Sequence, residues 1–140
     1  NSTATSGQGI VIGGGNLYIL AGGDGLDSNS RTAYSGIVFK GGKTVVISTS
    51  GGNSAIDTEA GYTYTSGSVL AIMPNGGMTS EATHCSNFSS VAKKIFMSLS
   101  SGKTLTVSVS NSAILSVKIP CNLSAIVIYL GSTSANISLN

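Results

Sequence analysis

Short β-prone runs separated by glycine pairs make up the first half of the chain. In the run 16–21, Leu17, Ile19 and Ala21 occupy alternate positions, so one face of the predicted strand can be buried. The run 44–49 shows the same two-residue alternation. No segment has the periodicity of a helix of any length. The pattern therefore predicts an all-β protein.

These runs belong to a repeated unit. Each copy has a glycine pair, a β-prone run, a second glycine pair and a corner that combines small, apolar and Asp residues. Two copies span residues 14–28 and 41–58, and a third, weaker copy spans 66–78, which gives a period of 25 to 27 residues. Such a period is typical of a solenoid, because one coil cannot bury its apolar face until the next coil stacks on it. We therefore expect a short parallel β-helix over residues 1–78, including an N-terminal arm.

The pattern changes after Met78. A polar loop is followed by four apolar runs, at 95–99, 104–109, 114–119 and 125–130. Short turn sequences separate these runs, so they predict a C-terminal antiparallel β-rich region over residues 79–140. This region is expected to pack on the last coil or to continue it. Residues 1–140 are predicted to form a single domain with these two parts.

The composition favours a secreted protein with a surface of few charges. Only 9% of the residues are charged and 41% are hydrophobic, while glycine and small polar residues fill much of the rest. The net charge of +2 is too small, and the lysines are too scattered, for a nucleic-acid surface. No run is long enough for a membrane span. N-glycosylation sequons occur at Asn1, Asn87, Asn122 and Asn136, although a chain this rich in Asn, Ser and Thr also forms sequons by chance.

Cys85 and Cys121 are the only cysteines of the chain. In a secreted protein, an even number of cysteines favours disulfide pairing, so we predict one disulfide that closes the C-terminal third. The alternative is that both side chains are buried free thiols. No other Cys-rich pattern indicates a zinc site.

Four of the five acidic residues lie in the Asp corners of the repeat. They are Asp24 and Asp27 in the first copy, and Asp57 and Glu59 in the second. If the copies stack, these carboxylates lie about one strand spacing apart, about 4.8 Å, and they repel one another unless a cation lies between them. Hard oxygen ligands favour Ca²⁺, so we predict a structural calcium site at this corner. The alternative is that the Asp side chains only cap turns by accepting hydrogen bonds from backbone N–H groups.

Aromatic residues supply the other candidate binding site. Tyr62 and Tyr64 lie on one face of a predicted strand, where they are a candidate stacking platform for sugar rings. Tyrosine is also a common strand residue, and a cross-strand packing pair is the alternative. The chain has no tryptophan, the residue most often used for such platforms.

Catalytic constellations are nearly absent from the sequence. His84 is the only histidine, so a Ser-His-Asp triad would have to centre on it. A polysaccharide lyase would need a Lys or Arg base beside calcium, and nothing in the sequence aims Lys40 or Lys43 at the acidic corners. We therefore predict a protein without enzymatic activity.

The repeat resembles that of the secreted bacterial β-helical proteins described as carbohydrate-binding domain-containing. The matching segments are 14–29, 41–57 and 66–78 for the coils, and 104–131 for the β-rich end. The resemblance implies a secreted, right-handed parallel β-helix related in shape to pectate lyases, with calcium at Asp24, Asp27 and Asp57. It also implies affinity for plant-type polysaccharides such as cellulose or pectin, without catalysis. This chain departs from the family because it is short, carries a cysteine pair and sequons, and has Ser54-Ala55 where Asp-Gly is usual.

Two functions from different classes follow from these observations. The first is a non-catalytic polysaccharide-binding module of a cell surface or matrix. The second is a self-assembling, glycosylated subunit of an extracellular fibre, because a short β-helix without caps leaves strand edges open to end-to-end stacking or strand exchange. The N-terminal arm and the segment 134–140 are the expected donor strands. A polysaccharide lyase is a third alternative.

Overall fold

Strands dominate the computed structural model, which describes residues 9–29, 36–76 and 78–140. They are β1 (Ile10–Ile12), β2 (Asn16–Ala21), β3 (Leu26–Ser28), β4 (Ile37–Ser48), β5 (Ile56–Thr58), β6 (Tyr62–Pro74), β7 (Ala92–Leu99), β8 (Thr104–Val109), β9 (Ser112–Lys118), β10 (Leu123–Leu130) and β11 (Asn136–Leu139). The helical segments in these ranges are a 3₁₀ turn (Glu81–Thr83) and α1 (Phe88–Val91), and neither they nor any other described helix is long and apolar enough to cross a membrane. The prediction of an all-β protein is confirmed, because 59% of the described residues are in strands and 6% are helical.

The largest sheet is parallel on one side and antiparallel on the other. β4 and β6 are neighbours and run parallel. On its other side, β4 pairs in parallel with β1 along its first part and with β2 along its second part. β10 and then β7 complete the sheet beyond β6 in antiparallel orientation. Two smaller sheets accompany it: β11–β8–β9 is antiparallel, and β3 pairs with β5 in parallel.

The repeat copies form the parallel part of the large sheet. Asn16 lies opposite Lys43, and Lys43 lies opposite Ser68, so each strand is offset from its neighbour by one repeat period of 25 to 27 residues. The corner strands β3 and β5 pair in the same direction, with Asp27 opposite Asp57. The repeat therefore identified both the neighbouring strands and their register.

The predicted right-handed parallel β-helix over residues 1–78 is wrong. The sheets are mixed, and the described residues form no solenoid. No fourth coil follows β6, because β10 occupies the position beside it and runs in the opposite direction. Residues 125–130 are an unbroken apolar run, and such a strand is stable only inside a sheet that is covered on both faces. The four predicted C-terminal runs are the strands β7 to β10, and β8 and β9 pair antiparallel as expected.

Both faces of the large sheet are covered, which gives the protein two hydrophobic cores. On one face, Val46 and Ile128 belong to a cluster that includes side chains of β3, β5 and α1. On the other face, Ile47 and Val127 belong to a cluster with side chains of β8, β9 and β11. Alternate residues of β4 therefore serve different cores. β10 is buried at every position from 125 to 130, since it contributes to both.

Glycine is required where the repeat corners stack. Gly42 and Gly67 have φ values of 78° and 101°, in the left-handed region. A Cβ on Gly42 would lie 2.5 Å from the carbonyl oxygen of Gly15, and a Cβ on Gly67 would lie 2.8 Å from the carbonyl carbon of Gly41. These neighbouring atoms are backbone, so they cannot move aside without disturbing the strand pairing. The glycine pairs of the repeat therefore allow consecutive corners to approach each other.

We expect Gly42→Ala to lower the free energy of unfolding by roughly 3 kcal/mol or more, because backbone strain and a backbone clash add. Gly52 is the matched control: its φ is 83°, but a Cβ there meets nothing within 4 Å. Gly52→Ala should therefore cost only about 1 kcal/mol. Urea denaturation followed by circular dichroism measures both values. Equal losses in the two variants would contradict the stacked-corner explanation.

Candidate functional site

An acidic corner lies at the paired strands β3 and β5. Asp27 and Asp57 are opposite each other in parallel register, about one strand spacing or ~4.8 Å apart. Asp24 precedes β3, and its Oδ1 accepts a hydrogen bond from the backbone N–H of Ser54 at 2.8 Å. The structure therefore brings together three of the four acids predicted to be ligands. The hydrogen bond joins Asp24 to the next repeat copy, 30 residues along the chain, so it differs from the local turn capping of the alternative interpretation.

Asp57 is the buried member of this group, with 8% of its surface exposed. The pKa of its carboxyl rises from 3.8 to about 6. The largest cause is burial, followed by the negative charges of Asp24, Asp27 and Glu81, and by a hydrogen bond with the Asp24 carboxyl. A hydrogen bond between two carboxyl groups needs a proton. The Asp57 carboxyl is therefore protonated more readily than an ordinary aspartic acid.

Glu81, and not Glu59, is the fourth acidic residue of the corner. It begins the 3₁₀ turn, which contacts β5, and its charge contributes to the raised pKa of Asp57. Its Oε2 is buried and has no hydrogen-bond partner in the described part of the chain. Glu59 is exposed in the turn after β5. The sequence spacing does not indicate that Glu81 belongs to the acidic corner, because the position of Glu81 near β5 depends on how the polar loop packs.

The acidic corner is also the predicted site of calcium. Within residues 9–29, 36–76 and 78–140, no group of three or more His, Cys, Asp or Glu side chains is placed to hold a metal ion. Calcium takes about six to eight oxygen ligands, and the corner brings together the carboxyl groups of Asp24, Asp27 and Asp57. A calcium site at Asp24, Asp27 and Asp57 stays a prediction.

Tyr62 and Tyr64 are packing residues. Both side chains are buried. The Tyr62 ring makes an edge-to-face contact with Phe39 at a centroid distance of 5.8 Å, and its hydroxyl donates to the Ala82 carbonyl oxygen at 2.9 Å. The Tyr64 hydroxyl donates to the Gly67 carbonyl oxygen at 2.8 Å, and burial raises the pKa of both hydroxyls. The structure therefore corrects the predicted sugar platform, because buried rings leave no face for a sugar.

The two cysteines are free thiols at opposite ends of the large sheet. Cys85 lies beside Tyr62, the first residue of β6, and its Sγ donates to Oδ1 of Asn87 at 2.9 Å. Cys121 lies just before β10, whose start pairs with the end of β6. β6 has 13 residues and a strand rises about 3.3 Å per residue, so the cysteines are much farther apart than the roughly 7 Å between Cα atoms that a disulfide allows. The predicted Cys85–Cys121 disulfide is not formed.

The predicted glycosylation sites differ in their surroundings. Asn87 is half-buried, and its Nδ2 donates to the carbonyl oxygen of Tyr64 at 3.1 Å, so the nitrogen that a glycan would use is occupied. Asn122 and Asn136 are exposed. Asn1 lies outside the described residues. Glycosylation stays a prediction, and Asn122 and Asn136 are its accessible sites in the described part of the chain.

A cavity of about 350 Å³ opens beside the start of β6, and its lining includes Tyr62, His84 and Cys85. The exposed His84 ring lies over Gly61. The Cys85 thiol bonds to the amide oxygen of Asn87 rather than to the imidazole. An activated nucleophile needs a base as its partner, and the described lining does not supply that arrangement.

The outer edge of the large sheet, formed by β1 and β2, carries exposed apolar side chains. Val11, Tyr18 and Leu20 are 55%, 53% and 50% exposed, and they are three of the five large apolar residues exposed in the described ranges. Tyr18 and Leu20 lie on the same sheet face as Val45 and Ile47, which are buried in the core beneath β8 and β9. The apolar face of the large sheet therefore continues past its cover to this edge.

The backbone of β2 also presents hydrogen-bonding groups to this edge. The carbonyl oxygen of Ala21 faces β4, because it accepts from the N–H of Thr49 at 3.0 Å. Alternate residues of a parallel strand bond to opposite sides. The N–H and C=O groups of Asn16, Tyr18 and Leu20 therefore point away from β4, where no described strand pairs with them. We refer to β1 and β2 with these outward groups as the open edge.

The opposite edge of the large sheet is β7, and it carries charge. Lys93 and Lys94 lie in its first half, and Nζ of Lys94 lies 5.8 Å from the centroid of the Phe96 ring. Lysine on an edge strand opposes pairing with another strand. β2 has no charged residue. The two edges are therefore chemically different, since β7 is protected by charge and the open edge is not.

Comparison of the chain with protein-family models, with curated proteins and with solved structures gives no match in any of the three. The resemblance to the carbohydrate-binding domain-containing family therefore stays a prediction, without the β-helix that it implied. The acidic corner and the open edge have to be interpreted from their own geometry.

We expect the stability of the protein to fall as the pH rises from 3.8 to about 6, because the folded state holds the Asp57 proton more tightly than the unfolded state does. Asp57→Asn should flatten this profile and raise the free energy of unfolding at neutral pH by about 1 to 3 kcal/mol. Urea denaturation at several pH values measures the profile. Glu59→Gln is the control, because the Glu59 charge is not among the causes of the shift. An unchanged profile in the Asp57 variant would refute the assignment.

The calcium prediction has a separate test. Binding of Ca²⁺ to the folded state alone should raise the Tm at neutral pH, and less so near pH 4, where protons compete for the same oxygens. Asp57→Asn should abolish the increase. Differential scanning calorimetry with millimolar Ca²⁺, with Mg²⁺ and with a chelator measures it. The same Tm under all three conditions would remove calcium as a structural ligand.

Proposed function

We propose that this chain is a non-catalytic structural protein of an extracellular assembly, and that it associates with further copies of itself. The observation that carries the proposal is the open edge, where exposed apolar side chains and outward backbone groups occur together. An edge of this kind is a template for pairing with another strand. Proteins that stay monomeric usually protect such an edge with charge, proline or a covering element.

The low charge of the chain supports the same proposal. A net charge of +2 with only 9% charged residues produces weak repulsion between copies. The accessible sequons at Asn122 and Asn136 lie outside β1 and β2, so glycans there are compatible with pairing at the open edge. A surface rich in hydroxyl and amide groups also suits an extracellular setting.

Polysaccharide binding is the alternative in that setting. Its expected platform, Tyr62 and Tyr64, is buried, whereas the Tyr18 side chain on β2 is about half exposed. Tyr18 also belongs to the open edge, so the two functions share a residue. They differ in their concentration dependence, because a sugar ligand leaves the chain monomeric whereas self-association increases with protein concentration.

We expect the average mass of the unglycosylated protein to rise above the monomer value of 14.0 kDa as its concentration increases. Added salt should change this little, because the open edge carries no charge. Sedimentation velocity measures the mass, and negative-stain electron microscopy shows the form of any assembly. Depletion by insoluble cellulose or pectin is the parallel assay. If the protein stays a 14.0 kDa monomer at every concentration and is retained on a polysaccharide, the result would favour polysaccharide binding over self-association.

A further inference from the structure

β2 has the geometry to pair with a second copy of itself. We propose, building on the self-association proposed above, that two copies of this chain join through an antiparallel β2–β2 pair whose two-fold axis passes beside Tyr18. The large sheets of the two copies then form one continuous sheet. The occupant of the open edge is the same edge of another copy.

The outward backbone groups of β2 determine the register of this pair. In an antiparallel ladder, two residues of a hydrogen-bonded pair exchange both of their backbone bonds. An axis beside Tyr18 places it opposite Tyr18 of the partner subunit, and places Asn16 opposite Leu20 of the partner subunit. Every outward N–H and C=O group of β2 then has a partner. A shift of one residue would set outward groups of one copy against groups of the other copy that already bond to β4.

The side chains of β2 add to this ladder. Tyr18 and Leu20 lie on one sheet face and are half exposed in the single chain. In the proposed register, each meets an apolar or amide side chain of the other copy, and aromatic pairs across strands are stabilising. The contact is confined to one strand, below the ~1,200 Å² of a standard interface. The dimer is therefore expected to dissociate on dilution.

Charge decides between the possible pairings of edges. A β7–β7 pair would join two edges that each carry Lys93 and Lys94, and lysine on an edge strand opposes pairing with another strand. A β2–β7 pair leaves β7 of one copy and β2 of the other copy free. Further copies could then add at both ends, and a filament would form. A β2–β2 pair uses the same uncharged strand of both copies, and leaves the three-residue strand β1 and the lysine-bearing β7 outside the pair. The inferred product is a closed dimer.

Sedimentation velocity of two matched variants tests the edge. Tyr18→Lys sets two positive charges opposite each other at the axis, and should weaken association about tenfold or more. Phe96→Lys makes the same change at an exposed aromatic residue of β7, and should associate like the wild type. Circular dichroism shows that each variant is folded.

Cysteine cross-linking tests the register. Residues of a hydrogen-bonded antiparallel pair have Cα atoms about 5.5 Å apart, within the range of a disulfide. In a Cys121→Ser background, Tyr18→Cys should therefore form a covalent dimer under mild oxidation, and Phe96→Cys should form little. Cross-linked Tyr18→Cys protein should stay dimeric and should not form filaments.

The outcomes separate this inference from the proposed function. A wild type that stays monomeric at every concentration overturns both. Association that persists in the Tyr18→Lys variant, or that is lost in the Phe96→Lys variant, overturns the β2 pairing and leaves self-association standing. Equal cross-linking of the Tyr18→Cys and Phe96→Cys variants would also overturn the β2 pairing and leave self-association standing. Filaments of the wild type would replace the closed dimer with the β2–β7 arrangement.

Discussion

Parallel backbone pairing around β4 is the interaction on which the rest of the structure depends. β4 is the only described strand with parallel partners on both sides, β1 and β2 on one and β6 on the other. Its register decides which side chains reach each face, so Val46 enters one core while Val45 and Ile47 enter the other. A slip of one residue would exchange these two sets and disturb both cores at once. The tight glycine corners keep that register, since larger residues would separate the copies.

The same register creates the electrostatic tension at the acidic corner. Because β3 and β5 follow equivalent parts of two repeat copies, their pairing brings Asp27 and Asp57 side by side. Two charged carboxylates at that distance repel, and burial of Asp57 adds to the cost of its charge. Protonation relieves both effects. The corner thus shows how a repeat can bring like charges together, because two stacked copies carry Asp at the same position.

The internal repeat explains which parts of the fold could be predicted from the sequence. The pairings of Asn16 with Lys43 and of Asp27 with Asp57 followed from matching the glycine pairs and Asp corners of the copies, because equivalent positions of stacked copies must be neighbours. The run 125–130 indicated burial on both faces but carried no information about its neighbour or direction, and for that reason the β-helix was predicted in place of the mixed sheet.

Other errors had the same origin, because they depended on distance across the fold. The alternation of Tyr62 and Tyr64 identified a shared face without showing that this face is covered. An even number of cysteines could not reveal that Cys85 and Cys121 lie at opposite ends of β6. The open edge was expected in general terms, from the small number of coils. Only the strand order shows which edge of the large sheet is open and which edge carries Lys93 and Lys94.

β10 lies between β6 and β7 in the large sheet, so this sheet cannot be completed until β10 has been synthesised. β6 ends at Pro74 and β10 begins at Leu123, so the edge of β6 stays unpaired during synthesis until the ribosome has released the intervening strands and β10 itself. Pairing of strands that are distant in sequence is slow, and exposed strand edges make partly folded chains prone to aggregation. The nascent chain is therefore vulnerable at β6, an edge that the folded protein no longer has. The edge exposed during synthesis is therefore a different strand from β2, the edge strand of the folded protein.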